Sequence, residues 1–211
     1  MRMPRPRKFD EADVVERARR TFAESGFDGT SLDDLLAATG LGRQSLYNTF
    51  GGKKELFMRA FLSDTAEAVE VVQSVLRSAE HPIARIRTQL VSAAVEHGAA
   101  QGPPSLLLRA AVELSARDPE VASTVTEAFD TIRAGYTACI MDAQTAGEVE
   151  ADADAEALGT YFCAVIEGMG AIGRVGTSRA ALLQVGIASL AALPITPLGA
   201  EHLGTGDGPW D

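Results

Sequence analysis

Two short helix-compatible runs meet at Gly40, within the stretch AATGLGRQSLYNTF that extends from Ala37 to Phe50. The run before the glycine, LDDLLAAT, is barely two turns long, and the run after it is no longer. Helices of that length are marginal in water on their own, so both need a neighbouring element to pack against. Gly40 permits the sharp turn between them because glycine tolerates the left-handed backbone conformation. This stretch therefore predicts a compact cluster of helices near the N-terminus.

The rest of the chain also contains residues that are typical of the starts and ends of helices. It shows no sustained alternation of apolar and polar residues, and no Asn-Gly or Asp-Gly hairpin turn between β-branched runs. Hydrophobic residues make up 46% of the 211, which is enough for a buried core. We predict an all-α fold of about nine helices. Their predicted limits are Asp10 to Gly26, Thr30 or Ser31 to Thr39, Arg43 to Thr49, a longer helix from FGGKKELFMRAFL, a helix after Pro82, a helix from SLLLRAAVELSA, Asp118 to about Gly147, about Asp154 to Gly173, and Ser178 to Leu193.

Three segments follow from these limits. Residues 1–52 are predicted to form an N-terminal three-helix domain of helix-turn-helix type, preceded by a basic arm at about residues 1–9. Residues 53–193 form a helical body. Residues 194–211 include ITPLGAEHLGTGDGPWD, which is rich in glycine and proline, and we expect a flexible tail there.

The charges are distributed unevenly along the chain. Residues 1–62 contain 11 Lys and Arg against 9 Asp and Glu, whereas residues 63–211 contain 8 against 20. The first part therefore has a balance of +2 and the second of -12, within a net charge of -10. This asymmetry is expected if only the N-terminal part meets a polyanion, because phosphate contacts depend on locally placed Lys and Arg. A chance asymmetry on a solvated surface is the alternative that the count leaves open.

Several classes of protein are disfavoured. No apolar run approaches the roughly 20 residues that cross a bilayer, and no apolar segment follows the basic start MRMPRPRKFDEAD, so we expect a cytoplasmic protein. Cys139 and Cys163 are far apart in apolar, helix-like surroundings, which indicates buried structural thiols. His81, His97 and His202 have no nucleophile or carboxylate constellation beside them in the sequence. We therefore predict no enzyme activity, no catalytic residue, no metal site and no cofactor.

The third predicted helix separates polar from apolar residues. At about 100° per residue, Arg43, Gln44, Tyr47 and Asn48 share an arc of about 140°, whereas Leu46 is positioned to pack inward. Arg side chains pair with guanine edges and Gln or Asn side chains with adenine edges, while hydroxyl and ammonium groups suit phosphates. The sequence thus predicts a DNA-reading helix. The full set of predicted DNA contacts is Thr30, Ser31, Arg43, Gln44, Ser45, Tyr47, Asn48 and Lys53.

The stretch TFAESGFDGTSLDDLLAATGLGRQSLYNTFGGKKELFMRAF resembles the DNA-binding domain of the tetracycline-repressor (TetR) family of bacterial transcription regulators, over about residues 10–61. The positions that carry the resemblance are Phe22, Gly26, Phe27, Thr30, Gly40, Leu46, Tyr47, Phe50, Lys53, Leu56 and Phe57. One departure is Thr49, where many relatives have His, which leaves that phosphate contact in doubt. A helix-turn-helix that arose by chance in a protein with another purpose is the alternative reading of the turn alone.

The resemblance implies more than the reading helix. It implies that residues 53–193 form an effector-binding and dimerisation domain, with the last two helices pairing across a twofold axis. A homodimer would then present two reading helices to a palindromic double-stranded DNA operator in the bacterial cytosol, at the nucleoid, and a small-molecule effector would release it. Polar or aromatic side chains within apolar helices are the candidate effector contacts: His97, Arg109, Glu113, Phe129, Arg133, Tyr136, Phe162 and Glu167. A membrane-surface or partner-binding protein is the rival reading of the apolar last helices.

The segment ELSARDPEVASTVTEAF also resembles one branch of this family. Members of that branch often carry a cysteine shortly before this segment and in some cases sense electrophiles with it. The present chain has GPPSLLLRAAVELS there, which contains no cysteine. The resemblance therefore does not extend to thiol sensing at this position.

Overall fold

A computed structural model describes residues 9–98 and 105–204, and within those ranges the chain forms ten α-helices. The helices are α1 Glu11–Gly29, α2 Leu32–Thr39, α3 Arg43–Phe50, α4 Lys53–Leu76, α5 Pro82–His97, α6 Leu106–Glu113, α7 Pro119–Thr145, α8 Ala155–Arg174, α9 Arg179–Leu190 and α10 Pro197–Gly204. Across the described ranges, extended pairing is confined to one antiparallel bridge between Val149 and Ile195. The predicted all-α fold is confirmed.

The described residues fall into two compact units. The first is drawn from Met1–Ala66 and Pro103–Val125, and the second from Glu67–Gly102 and Thr126–Asp211. The first unit therefore extends past the predicted boundary at residues 52/53, and it includes α6, which lies more than fifty residues further along the chain. Periodicity identifies a helix but not the neighbours it packs against, and α6 packs against α1.

Aromatic side chains form the core of the first unit. Phe22 is fully buried, and its ring meets the edge of Phe57 at a centroid distance of 5.2 Å. Phe57 also meets Phe27 at 5.1 Å and stacks on Phe61 at 5.7 Å. Each buried aromatic pair contributes about 0.5–1.5 kcal/mol beyond its burial. This cluster joins the C-terminal part of α1 to the start of α4, and α2 packs against α1.

The second unit is organised around α5. This helix packs against α8, α9 and α10, and its buried side chains include Ile83, Ile86 and Leu90. The first turn of α5 begins at Pro82, where proline suits the helix start because the first N–H groups have no partner within the helix. None of the described helices is both long enough and apolar enough to cross a membrane.

The predicted tail requires a correction. Residues 197–204 form the helix α10, whereas composition favours a flexible segment over 194–211. Pro197 occupies the first helical position, and the Thr196 hydroxyl accepts a hydrogen bond from the Gly199 N–H at 3.1 Å. Local capping of this kind, added to packing against α5, stabilises a helix that composition alone disfavours. The predicted basic arm (apart from Phe9) and the last residues, 205–211, lie outside the described ranges.

Candidate nucleic-acid interface

The turn between α2 and α3 is fixed by local hydrogen bonds. Ser31 is the N-cap of α2, where its hydroxyl accepts from the Asp34 N–H at 3.1 Å and the Asp34 carboxylate accepts from the Ser31 N–H at 2.8 Å. The Ser31 hydroxyl also donates to the Asp34 carboxylate at 2.6 Å, and this bond, followed by the bond from the Ser31 N–H, lowers the pKa of Asp34. At the other end of α2, Gly40 adopts the left-handed conformation (φ 70°) and donates its N–H to Leu36. The sequence prediction of a glycine turn is therefore confirmed.

The predicted DNA contact at Thr30 is corrected by the structure. Its side chain is fully buried, and its hydroxyl donates to the carbonyl oxygen of Gly26 at 2.6 Å. A hydroxyl in that position cannot reach a phosphate. Thr30 instead fixes the bend at the end of α1, while the neighbouring Ser31 is exposed.

α3 presents one polar face and buries the other. Leu46 is fully buried and Phe50 nearly so, and these side chains hold the helix on the core. Thr49 is only partly exposed. The other five side chains, which we call the outward face of α3, are exposed: Arg43, Gln44, Ser45, Tyr47 and Asn48. Tyr47 retains 47% exposure, unusually high for a large aromatic side chain in a well-packed unit. The outward face therefore offers hydrogen-bonding groups to a partner without disturbing the core.

Two contacts organise the outward face. The Arg43 guanidinium lies 3.0 Å from the carboxylate of Asp33, and both side chains are largely exposed. The Gln44 side-chain N–H donates to the Asn48 side-chain oxygen at 2.9 Å, one helical turn away. Exposed pairs of this kind stabilise a fold only slightly. Arg43 and Gln44 can therefore exchange these partners for bases at little cost in stability.

Lys53, at the start of α4, is held over an aromatic ring. Its ammonium lies 4.4 Å from the centre of the Phe27 ring, and the side chain is partly exposed. A cation–π contact orients a lysine but leaves its three N–H donors available. The next residue, Lys54, instead pairs with Asp118 at 2.7 Å. Of these two neighbouring lysines, Lys53 is the better placed to offer a positive charge to a phosphate.

Glu113 and Arg109, predicted as effector contacts, have a different setting in the structure. The Glu113 carboxylate accepts hydrogen bonds from the backbone N–H of Phe27 at 3.2 Å and of Asp28 at 2.7 Å. Arg109 donates to the carbonyl oxygen of Ala23 at 3.4 Å. These two side chains of α6 thus hold the C-terminal part of α1, and we call this arrangement the α6 clasp. The predicted i,i+4 pairing between them is loose, at 3.9 Å.

Three further predicted effector contacts lie together in the second unit. Tyr136 and Phe162 are fully buried, and their rings stack with centroids 5.9 Å apart. Burial raises the pKa of Glu167 to about 7, and burial, with the Cys163 thiol as a lesser cause, raises the pKa of Tyr136 as well. The Tyr136 hydroxyl is buried and has no hydrogen-bond partner among the described residues. A buried polar group without a partner is costly, which marks this cluster as a place where a ligand could supply one.

The last three predicted effector contacts are less closely connected. Phe129 and His97 are partly buried, and Arg133 is exposed and pairs with Asp130 at 2.9 Å. The structure also shows an open groove of about 600 Å³ that no predicted contact lines. Its lining residues are Gln73, Leu76, Arg77, Arg85, Asp130, Thr131, Ala134, Gly135, Ala138, Cys139 and Asp142. Helical periodicity does not reveal this groove, because its walls come from three different helices, α4, α5 and α7.

Both cysteines are free thiols with raised pKa values. Burial raises the pKa of Cys139 to about 12 and that of Cys163 to about 11, so neither is a thiolate near neutral pH. Cys139 is buried as predicted, but Cys163 is only partly buried.

Sequence spacing predicts no metal-ligand set, yet the fold brings His81, Glu148 and His202 together although they are far apart in sequence.

Two protein families match the chain. Residues 14–60 match the family described as "Bacterial regulatory proteins, tetR family", and residues 82–185 match "Tetracyclin repressor-like, C-terminal domain". The first match contains the whole of α2 and α3. The second begins at the first residue of α5 and ends within α9.

Individual relatives and a solved structure agree with these families. The helix-turn-helix transcriptional regulator YezE of Bacillus subtilis (strain 168), itself uncharacterised, is 32% identical over 164 residues, 76% of this chain and 84% of that protein. The helix-turn-helix transcriptional repressor ComR of Escherichia coli (strain K12) is 26% identical over 90% of this chain and 91% of its own. A cysteine mutant of the regulator CifR, solved in complex with a 26-bp double-strand operator DNA, superimposes with a TM-score of 0.82 at 26% identity, covering 90% of this chain and 100% of that chain.

Proposed function

Because the chain belongs to the tetracycline-repressor family of DNA-binding transcription regulators, which are not enzymes, we propose that it is a repressor that binds a palindromic operator as a homodimer and is released by a small-molecule effector. The observation that carries the DNA-binding part is the outward face of α3, whose five polar side chains are exposed while Leu46 and Phe50 anchor the helix. Within this face, Arg43, Gln44 and Asn48 supply the groups that read base edges. Tyr47, Ser31 and Lys53 supply hydroxyl and ammonium donors to phosphates. We expect the protein to act on the chromosome in the bacterial cytosol.

The test is a fluorescence-anisotropy titration against DNA from upstream of the coding region. We expect sequence-selective binding that weakens steeply as salt rises from about 50 to about 200 mM, since phosphate contacts release counterions. Arg43→Ala should relax base preference, whereas Lys53→Ala should weaken binding to all sequences by a similar factor. Arg133→Ala is the matched control, because it removes one exposed, ion-paired arginine from the second unit. Absent or salt-insensitive binding would refute the assignment, and equal behaviour of all three variants would refute the orientation of α3.

The dimer part of the proposal is supported by the last two long helices. On α8 and at its C-cap Val175, exposed small or apolar residues recur mostly every three or four positions, at Ala157, Tyr161, Ala164, Gly168, Ala171, Ile172 and Val175. On α9, Ala180, Ala181, Ile187 and Ala188 are exposed in the same way. Val175 is 83% exposed and Tyr161, Ile172 and Ile187 about 40%. An apolar stripe of this length on two packed helices is typical of a surface that another subunit covers.

Oligomeric state tests this directly. Ala164→Arg would place a charge in the middle of the α8 stripe, at a position exposed in the single chain. We expect light scattering behind a sizing column to show a dimer for the native sequence and a monomer for this variant. Thr160→Arg, also exposed on α8 but polar in the native chain, is the comparison at the edge of the stripe. A monomeric native protein that still binds its full operator would contradict the proposal.

We place the effector next to Tyr136, Phe162 and Glu167. The stacked rings supply apolar contact, the Tyr136 hydroxyl has no partner within the described chain, and the Glu167 carboxyl is protonated over part of the neutral range. These features suit a mainly apolar or aromatic molecule that carries one or two hydrogen-bonding groups. An effector can release DNA only by binding the non-DNA-bound arrangement more tightly. The screen titrates a panel of aromatic alcohols, phenols and amides into the protein–operator complex. A compound that binds at this site should release the operator DNA less effectively from Tyr136→Phe than from the native protein.

A further inference from the structure

We propose that His81, Glu148 and His202 form a site for one divalent transition-metal ion of the zinc type, and that the ion fastens α10 to the start of α5. The three ligands come from separate elements. His81 is the residue that precedes α5, Glu148 lies in the segment after α7, and His202 lies in the last turn of α10. Their potential ligand atoms all lie within 4.8 Å of one another.

Two of the three distances between ligand atoms are close to those around a bound ion. The Nδ1 atom of His81 lies 3.2 Å from Oε1 of Glu148, and Nδ1 of His202 lies 2.7 Å from the same oxygen. Tetrahedral zinc, with bonds of about 2.0–2.1 Å to nitrogen and oxygen, separates its ligand atoms by about 3.3 Å. The distance to His81 already has this value, and the distance to His202 must open by only about half an ångström. The two imidazole rings stack with centroids 3.6 Å apart, so the rings must turn out of this stack to direct both Nδ1 lone pairs at one ion.

The burial and the chemistry of the three side chains suit a metal ion. The Glu148 side chain has no exposed surface, and its second oxygen accepts the Ile83 N–H at 2.9 Å. That bond holds the carboxylate in one orientation, as partners behind metal ligands do. A divalent cation supplies a charge opposite to that of the buried carboxylate and can bind both imidazoles at the same time. Two imidazoles and one carboxylate suit zinc and its neighbours rather than magnesium or calcium, which prefer oxygen ligands.

The surrounding backbone holds the cluster in place independently of any ion. The Glu148 carbonyl oxygen accepts the Thr196 N–H at 3.0 Å, and Arg87 donates to the carbonyl oxygen of Leu203 at 2.5 Å. At Gly199 the backbone approaches so closely that a Cβ atom would lie 2.1 Å from the Glu148 carbonyl oxygen. α10 therefore lies directly over Glu148, which brings His202 to the carboxylate. His81 is 57% exposed, so solvent ions can reach the site and a water can occupy the fourth position.

The test uses the full, tag-free chain after dialysis against EDTA and then metal-free buffer. Titration calorimetry with Zn²⁺ should show one ion per chain, and elemental analysis after gel filtration should find the ion retained. His202→Ala and His81→Ala should each weaken binding at least tenfold, and Zn²⁺ should raise the melting temperature of the native chain but not of either variant. Co²⁺ in place of Zn²⁺ should give the intense visible absorption of a four-coordinate site, absent from the variants.

His97→Ala is the matched control, because it removes the only other histidine of the chain. Its Zn²⁺ affinity should equal that of the native protein. No Zn²⁺ binding by the folded native chain would overturn the proposal, as would native affinity in His81→Ala and His202→Ala. Glu148→Gln tests the buried ligand, but because it also disturbs the Ile83 contact, the two histidine variants decide the outcome. None of these measurements depends on DNA binding, so the result stands apart from the proposed function.

Discussion

Replacement of Gly26 by alanine should destabilise the first unit more than the same replacement at any exposed glycine between α1 and α4. Gly26 has φ 77° and ψ 174°, a conformation that is essentially restricted to glycine. A Cβ atom there would lie 2.5 Å from a carboxylate oxygen of Glu113 and 2.9 Å from Nε of Arg109. The substitution therefore strains the backbone and also pushes apart the α6 clasp that holds the N–H groups of Phe27 and Asp28.

The two effects can be estimated separately. Backbone strain in this region costs about 1–3 kcal/mol. Loss of a hydrogen bond from a backbone N–H to a charged carboxylate costs about another 1.5–3 kcal/mol, and water replaces the more exposed bond to Asp28. We expect a total of about 2.5–6 kcal/mol, which is a large part of the roughly 5–15 kcal/mol typical of a whole domain.

Urea denaturation followed by circular dichroism measures this loss, and a double-mutant cycle separates its parts. In a Glu113→Ala background the clash with the carboxylate is gone and the flexible Arg109 side chain can yield, so Gly26→Ala should cost mainly the strain, about 1–3 kcal/mol. Gly42→Ala is the control, because Gly42 has φ -76° and no atom lies within 4 Å of the position that an added Cβ would take; it should cost less than about 1 kcal/mol. If Gly26→Ala and Gly42→Ala lower the free energy of unfolding equally, the argument from backbone strain and close contact is refuted. If Gly26→Ala costs the same in the native and Glu113→Ala backgrounds, the α6 clasp does not contribute to its effect.

Three further substitutions have expected outcomes. Asp33→Asn frees Arg43 from its exposed partner, so operator affinity in an anisotropy titration should rise about two- to fivefold at about 50 mM salt and less at about 200 mM; unchanged affinity would contradict this. Tyr136→Phe removes a buried hydroxyl without a partner among the described residues, so the free energy of unfolding should stay level or rise by about 1 kcal/mol, and a clear loss in urea denaturation would show that the hydroxyl is bonded. Because burial raises the pKa of Glu167 from 4.5 to about 7, the folded chain binds the proton more tightly than the unfolded chain. The bound proton therefore stabilises the folded chain fully below pH 4.5, and the free energy of unfolding should fall by at most about 3 kcal/mol as the pH rises to about 7. In Glu167→Gln this fall, measured between about pH 4.5 and 7.5, should be absent or smaller.

The sequence correctly predicted which side chains of α3 are exposed and which are buried, and the turn before this helix, because the relevant signals are local. The exposure of Arg43 and Tyr47 and the burial of Leu46 follow from helical spacing over a few residues. The turn at Gly40 follows from the backbone freedom of one residue. The assignment of Thr30 is wrong because its sequence position fits a helix start equally well; its hydroxyl is used by the carbonyl oxygen of Gly26, which a helix pattern does not show.

Effector residues are harder to predict, and the reason is the same in each case. Glu113 and Arg109 have the pattern of pocket residues because they are charged within an apolar helix, yet they hold the backbone of α1, more than eighty residues earlier in the chain. The groove lined by Gln73, Arg85 and Asp142 has no sequence signal, since each wall looks like an ordinary helix face. Polar residues in apolar helices show that a partner is needed, but they do not identify that partner.

The sequence by itself determined the helical class, the starts and ends of most helices, and the polar face of α3, because caps, glycines and three- to four-residue spacing act within one or two turns. Only the tertiary structure decided which unit α6 joins, that residues 197–204 form a helix, and that His202 meets Glu148 across 54 positions of sequence. Those outcomes depend on side-chain packing and on buried polar groups finding partners from distant segments. Such interactions leave no periodic trace in the chain, and they form only when the helices have assembled.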